Sequence, residues 1–330
     1  MKNHLILTAF ITLASSLPAL AESGKQAAFP KHVPVLTGSP VEGFTIGSGT
    51  TAYSSSIDGS IYKVDLRSGE GEVLVAPEDS FDIFSDCYKL GMRVDPRSNY
   101  LYAAGCFWGN AYVFDADSGE EIARLTVTNF GQVINDIAIT RDAVYFTNFS
   151  APFIHRLPLA ANGQMIEGEA PLPIAMQGDD NGDPLASPLT ANGIVATPNG
   201  DALIIGDSVT AQIYRVDPLT GHANRIVVEP PLQGFIDGIV MHEDTLYILS
   251  PGNPADPTDI DRIQVVELDR ELLNGTLVGN IVDPDLDGVA SGAMLGGSLY
   301  VNNARYRDFP LPTTEYSVTR LNRKDVSPLQ

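Results

Sequence analysis

The sequence predicts an all-β chain folded as a six-bladed β-propeller, with four-stranded blades around a central channel. Three observations carry that expectation. Helical periodicity is almost missing. Short β-branched and tyrosine-rich runs alternate with clusters of Gly, Pro, Asn and Asp, and one segment plan recurs six times along the chain.

Each recurrence opens on a polar or special residue, usually followed by a small one. An apolar strand, a tight turn and a second strand ending near tyrosine come next. The six run from Glu42-Gly43 to Tyr53, Leu90-Gly91 to Tyr102, Asn135-Asp136 to Tyr145, Asn192-Gly193 to Ile204, Asp237-Gly238 to Tyr247 and Ser291-Gly292 to Tyr300. Their starts lie 45 to 57 residues apart. Third strands follow, clearest in Ile61-Tyr62-Lys63-Val64-Asp65, Ala111-Tyr112-Val113-Phe114-Asp115 and Ile213-Tyr214-Arg215-Val216-Asp217. Glycines at 69, 119, 163, 221 and 275 mark the turn into a fourth strand. Four strands per repeat of this length is the pattern of blades packed radially around a channel. The last repeat has too little chain for a fourth strand, so residues 32 to 37 are expected to supply it and close the ring. A pair of β-sandwiches is the competing architecture, but it would not require six matching segments, and no linker divides the chain.

The first residues predict export. Lys2 gives a basic start, Leu5 to Leu13 form an apolar run too short to span a bilayer, and Ala19-Leu20-Ala21 matches a cleavage signal. The expected organisation is a signal peptide at 1–21 and one propeller domain at 22–330, in the periplasm or outside the cell. A net charge of −21 argues against nucleic acid or an anionic membrane as partner, because phosphates would be repelled. The partner expected is a small-molecule substrate. Only Cys87 and Cys106 occur, and in an oxidising compartment they are expected to pair, two free thiols being the alternative.

In a propeller the innermost strand of each blade starts at one mouth of the channel. Leading residues therefore converge on the axis. Here they read Glu42, Leu90, Asn135, Asn192, Asp237 and Ser291. Two carboxylates and two carboxamides meeting at one point favour a hard divalent cation, calcium above others, whereas zinc would call for His or Cys. Asn-Gly and Asp-Gly are also ordinary turn dipeptides, but four polar leaders at one phase of the repeat exceed what turns require. Two further acidic runs are incomplete as calcium loops. Asp283-Pro284-Asp285-Leu286-Asp287-Gly288 has Met294 at its twelfth position, and Asp179-Asp180-Asn181-Gly182-Asp183 is similarly short of ligands. Both read as solvated loops. The loops after each second strand share the leading residues' mouth. They bring Cys106-Phe107-Trp108, Asn148-Phe149-Ser150, Asp207-Ser208 and Arg305-Tyr306 there, with Cys87 beside Cys106. Trp108, Phe149 and Tyr306 are expected to wall a pocket, and Arg305 to hold an anionic group.

The stretches Val41-Glu42-Gly43-Phe44, Ile134-Asn135-Asp136-Ile137, Ala191-Asn192-Gly193-Ile194 and Ile236-Asp237-Gly238-Ile239, in this order and phase, resemble the senescence-marker-protein/gluconolactonase family and the related diisopropyl fluorophosphatases and paraoxonases. The likeness extends from about residue 34 to 322 and takes in Ala211-Gln212-Ile213-Tyr214-Arg215-Val216-Asp217. It implies that Glu42, Asn135, Asn192 and Asp237 ligate a catalytic calcium, and that Asp237 also serves as general base or nucleophile. Sugar-lactonase members carry an Asn where Leu90 stands, which turns the expectation towards a less polar substrate. No histidine falls at a channel-facing position, so a paraoxonase-like His dyad is not expected. Three readings follow. The first is a calcium-dependent hydrolase of lactones, aryl esters or phosphotriesters, contacting substrate through Leu90, Trp108, Phe149, Arg305 and Tyr306. The second is a non-catalytic binding propeller with structural calcium. The third is a strictosidine-synthase-like enzyme, disfavoured because such relatives lack the full ligand set.

Overall fold

The computed structural model describes residues 28–329 except 38, 83–85, 179–189, 257 and 307–314. The expected leader at 1–21 and the run Asp179 to Asp183 lie outside the described residues. Strands and turns make up nearly all of the rest, and among the described residues no helix is long and apolar enough to cross a membrane.

Six antiparallel meanders of four strands follow one another. The first passes through Val41–Ile46, Thr51–Ser56, Ile61–Asp65 and Gly71–Val75, and the second through Met92–Asp95, Tyr100–Ala104, Asn110–Asp115 and Glu121–Thr126. The third comprises Ile134–Ile139, Ala143–Asn148, Phe153–Pro158 and Leu172–Ala175. The fourth, Ala191–Ala196, Leu203–Asp207, Gln212–Val216 and His222–Glu229, meets the fifth edge to edge, Val227 lying beside Asn274 in a short parallel pairing. The fifth comprises Ile239–His242, Thr245–Ser250, Arg262–Leu268 and Asn274–Ile281. In the sixth, Val289–Leu295, Ser298–Asn303 and Tyr316–Asn322 are completed by His32–Val35, which pairs with the last strand from His32 opposite Thr319 to Val35 opposite Tyr316. The N-terminal segment thus supplies the missing strand and ties the two ends of the chain together.

Burial grades outward along each blade. The second strands are covered on both faces, as in Ala143–Asn148, whereas outer strands such as His222–Glu229 alternate buried and exposed residues. A strand covered on both faces must be apolar or hydrogen-bonded throughout; one covered on a single face needs only period two. The core is six separate seams between neighbouring blades. Tyr53 and Ile61 pack against Leu101 and Tyr112 between blades one and two, and Tyr102 and Val113 against Ile137 and Phe146 between two and three. The later seams repeat this, and the sixth brings Val33 and Val318 onto Phe44 and Val64. One apolar seam for each pair of neighbours closes the ring.

Cys87 and Cys106 are joined in a disulfide, with Cα atoms 5.7 Å apart. The bond ties the approach to blade two to its second loop, and Cys106 also bridges to Ile134 of blade three. Replacing both cysteines by serine should lower unfolding free energy by about 3 kcal/mol, since the closed loop spans 19 residues. Urea unfolding of the oxidised protein and the double variant measures this.

Candidate metal and substrate site

The leading residues do not sit in regular pairing. In blade one the register slips between Val41 and Phe44, leaving Glu42 and Gly43 in a bulge. The same slip places Asn135-Asp136, Asn192-Gly193 and Ala290-Ser291 in bulges of blades three, four and six. A bulge re-aims a side chain and frees its backbone groups from the ladder. In blade six it also corrects the expected phase. Ser291 occupies the place of Gly43, its N–H bonded to Asn302 Oδ1 at 2.7 Å as Gly43 N–H is to Ser55 Oγ at 3.0 Å. Ala290, not Ser291, is therefore the sixth leading residue.

The freed backbone groups bond blade to blade. Thr147 Oγ1 accepts from Asp136 N–H at 2.9 Å and donates to the carbonyl of Asn192 in the next blade at 2.8 Å. Ser55 relays likewise to the Leu90 carbonyl, and Asn302 Nδ2 donates to the Glu42 carbonyl at 2.7 Å. Blades two and four use the backbone directly, Gly91 N–H to Asn135 O at 2.8 Å and Gly193 N–H to Asp237 O at 2.9 Å. These approaches explain the small second residue. A Cβ on Gly43 would lie 2.3 Å from Leu90 O, and one on Gly193 would lie 2.5 Å from Asp237 O. Blade three departs from the pattern. Asp136 takes the glycine place, and its buried carboxylate accepts from Ile137 N–H at 2.8 Å and from Ile194 N–H of blade four at 3.1 Å. Asp136 is absent from the expected site set, although a charged residue where four of the six blades carry glycine is a signal present in the sequence.

Glu42, Asn135, Asn192 and Asp237 come together on one cavity of about 580 Å³. All four are buried. Asn192 Nδ2 donates to Asp237 Oδ1 at 3.1 Å, and the Tyr306 hydroxyl donates to Glu42 Oε2. Leu90, Phe149 and Tyr306 line the cavity as expected, and Phe107, Val133, Phe235, Pro251 and Pro254 complete an apolar wall. Val133 and Phe235 sit on loops between blades, whereas Phe107, Pro251 and Pro254 sit on loops joining second to third strands, where the repeat gives no phase to read. Two expected contacts fail. Trp108 lies off the cavity, stacked on Tyr88 at 5.4 Å and tilted against Phe130 at 5.3 Å, because a flat apolar ring gains more from ring neighbours than from the rim. Arg305 turns from the cavity to Asp287, Nε to Oδ2 at 3.1 Å, and donates to the Glu315 carbonyl, since an oppositely charged partner lies within reach there. Lys31 engages Asp283 and Asp285 at 2.9 and 2.5 Å, so the acidic loop is answered by a lysine. His155 is a buried strand residue, held well below the ordinary range, at about 4, by burial.

Burial raises the Glu42 carboxyl from 4.5 to about 7, opposed by the Tyr306 hydrogen bond and aided by the charge of Asp136. Asp237 is pushed well above the usual carboxylate range by burial, then by Glu42, with the Asn192 amide opposing. Burial also raises Asp136, against which the Arg93 guanidinium works. Among the described residues no three His, Cys, Asp or Glu side chains form a metal cluster, so the donor set is this mixed one of two carboxylates and two amides. Buried carboxylates restrained by hydrogen-bond donors, beside amide oxygens and without His or Cys, fit a hard cation.

No protein-family model and no curated protein matches the sequence. Solved structures do. The major Malassezia sympodialis allergen Mala s 1 is similar at a TM-score of 0.63 and 14% identity, over 92% of this chain and 99% of that one. A chain of the mitotic checkpoint complex gives 0.58 and 10% over 96% and 99%, and U3-55K gives 0.57 and 12% over 87% and 97%. The fold is a β-propeller. At these identities the likeness concerns the fold alone.

Two outcomes follow. Thr147→Val should cost about 2 kcal/mol, because Asp136 N–H and Asn192 C=O both lose the hydroxyl that satisfies them; chemical denaturation reads it. Glu42 ionises near 4.5 when unfolded but stays protonated to about 7 when folded, so raising pH through that window favours the unfolded chain. Chelator-treated protein should therefore lose stability as pH rises between about 4.5 and 7, with Asp237 acting in the same direction as Glu42. Denaturant titrations across that window should show stability falling, and a rise would contradict the assignment.

Proposed function

We propose that the protein is an exported, calcium-dependent hydrolase of lactones, aryl esters or phosphotriesters, allied to the senescence-marker-protein/gluconolactonase family. The observation that carries this reading is the meeting of Glu42, Asn135, Asn192 and Asp237, from four blades, on one cavity with apolar walls. Glu42, Asn135, Asn192 and Asp237 would hold the ion, with another divalent metal as the alternative. Bound there, a divalent cation supplies Lewis-acid polarisation of a carbonyl or phosphoryl oxygen.

The chain's own residues do the rest. Asp237 either takes the proton of an attacking water or attacks the substrate itself, and Asn192 orients it by donating to Oδ1. Asp136 adds negative charge behind the site, anchored by two backbone N–H groups. Leu90, Phe107, Val133, Phe149 and Phe235 receive the apolar part of a small-molecule substrate and exclude water around the reacting bond. The absence of a hydrogen-bonding side chain at Leu90 supports a substrate less polar than a sugar acid. The Cys87–Cys106 disulfide supports a periplasmic or secreted location.

A second reading, a binding propeller with structural calcium, is favoured by the ligands' origin in four blades, which an ion would clamp together. One experiment separates the two. Asp237→Asn should lower hydrolysis of a lactone and aryl-ester panel by about 10²- to 10⁴-fold, and chelation should abolish it. No turnover by the wild-type protein, with a large loss of melting temperature on chelation, would favour the binding role. Activity indifferent to both treatments would refute the site.

A further inference from the structure

Of the four proposed ligands, Glu42 has the longest side chain and one more rotatable bond than Asn or Asp. It therefore has the most freedom to lose when it is fixed. Asp237 is held by the Asn192 amide. Glu42 is held by the Tyr306 hydroxyl, which donates to one carboxylate oxygen, Oε2.

The chain goes to some length to place that phenol. Ala304 N–H donates to Gly288 O at 2.8 Å, and Arg305 N–H donates to Asp287 O at 3.0 Å. Arg305 itself takes φ 54°, a left-handed conformation unfavourable for a non-glycine residue, and the Asp287 contact fixes its side chain. Gly288, at φ 66°, lets the two segments approach; a Cβ there would lie 2.9 Å from Arg305 N and 3.2 Å from Tyr306 N. Behind it the buried Asp261 carboxylate accepts from Gly288 N–H at 3.1 Å and from Gly252 N–H at 3.2 Å. Tyr306 as a whole is 40% exposed at the rim of the cavity, while its hydroxyl reaches the buried Glu42.

We infer that Tyr306 is a positioning residue for the metal site, its hydroxyl engaging Glu42 Oε2 so that Oε1 is left for the cation. This rests on the metal reading above. A tyrosine serving only to contact substrate would have its hydroxyl turned to the cavity, whereas this one is committed to a carboxylate. Hydrogen-bond donors behind ligating carboxylates typically govern metal affinity by 10- to 100-fold.

The test is calcium binding to the stripped full-length protein, by calorimetry and by the calcium-dependent rise in melting temperature. Tyr306→Phe keeps the ring and removes only the hydroxyl, and should raise the calcium Kd about 10-fold or more. A tyrosine that only contacted substrate would leave the calcium Kd of this variant at the wild-type value. Gly288→Ala, which crowds the Tyr306 backbone, should weaken calcium in the same direction. Wild-type calcium affinity in Tyr306→Phe would overturn the positioning role and leave the metal site standing. Failure of the wild-type protein to bind calcium would overturn the site and this role together.

Discussion

The architecture depends on how one blade is joined to the next near the axis. Inner strands of neighbouring blades do not pair as a sheet. They meet through single hydrogen bonds to the carbonyls of five of the six leading residues, from Ser55, Gly91, Thr147, Gly193 and Asn302 to residues 90, 135, 192, 237 and 42 in turn. Each bond is modest in net value but buried, so leaving one unmade costs more than making it gains. The seam is therefore also a positioning device. It fixes the backbone of the residues whose side chains reach the cavity, and it does so from the preceding blade.

Bulges make this possible. A leading residue in regular antiparallel pairing would spend its N–H and C=O on its own blade and alternate strictly between faces. Displaced from the ladder in blades one, three, four and six, it can offer its carbonyl sideways and its side chain to the channel. The glycines at 43, 91, 193 and 238 follow from the same contact, because a Cβ would fall within 2.5 Å of an oxygen on the next blade. The X-Gly signature is thus chiefly a requirement of close packing between blades, and the chemistry resides in the residue before the glycine.

That division explains what the sequence made legible. The repeat spacing, the strand that closes the sixth blade and the four polar leaders are local or periodic signals, and they read directly from residues such as Glu42 and Asp237. In blade six Ser291-Gly292 imitates the pattern one place late, and only the bulge between Val289 and Gly292 reveals Ala290 as the leader. The role of Asp136 is not legible locally because its partner, the Ile194 N–H, lies 58 residues away. Loop membership brings Trp108 and Arg305 to this mouth, but the direction of a loop side chain is decided by neighbours such as Tyr88 and Asp287, which no repeat phase encodes.

Reading the leaders around the ring gives a last asymmetry. Asn135, Asn192 and Asp237 occupy three consecutive blades and form a polar arc, whereas Glu42 stands between Leu90 and Ala290. Its neighbours in the ring offer no hydrogen bond from a side chain, and burial accordingly raises its carboxyl to about 7. A carboxylate in that setting must be neutralised by a proton or by a cation, and must be steadied by a donor from outside the ring of leaders. Tyr306 is that donor. The arc brings two amide dipoles and the Asp237 carboxyl to the cavity from one side, and Glu42 brings a second buried carboxyl from the other. The apolar leaders flanking it therefore work with the polar ones, since a solvated Glu42 would have little need of an ion.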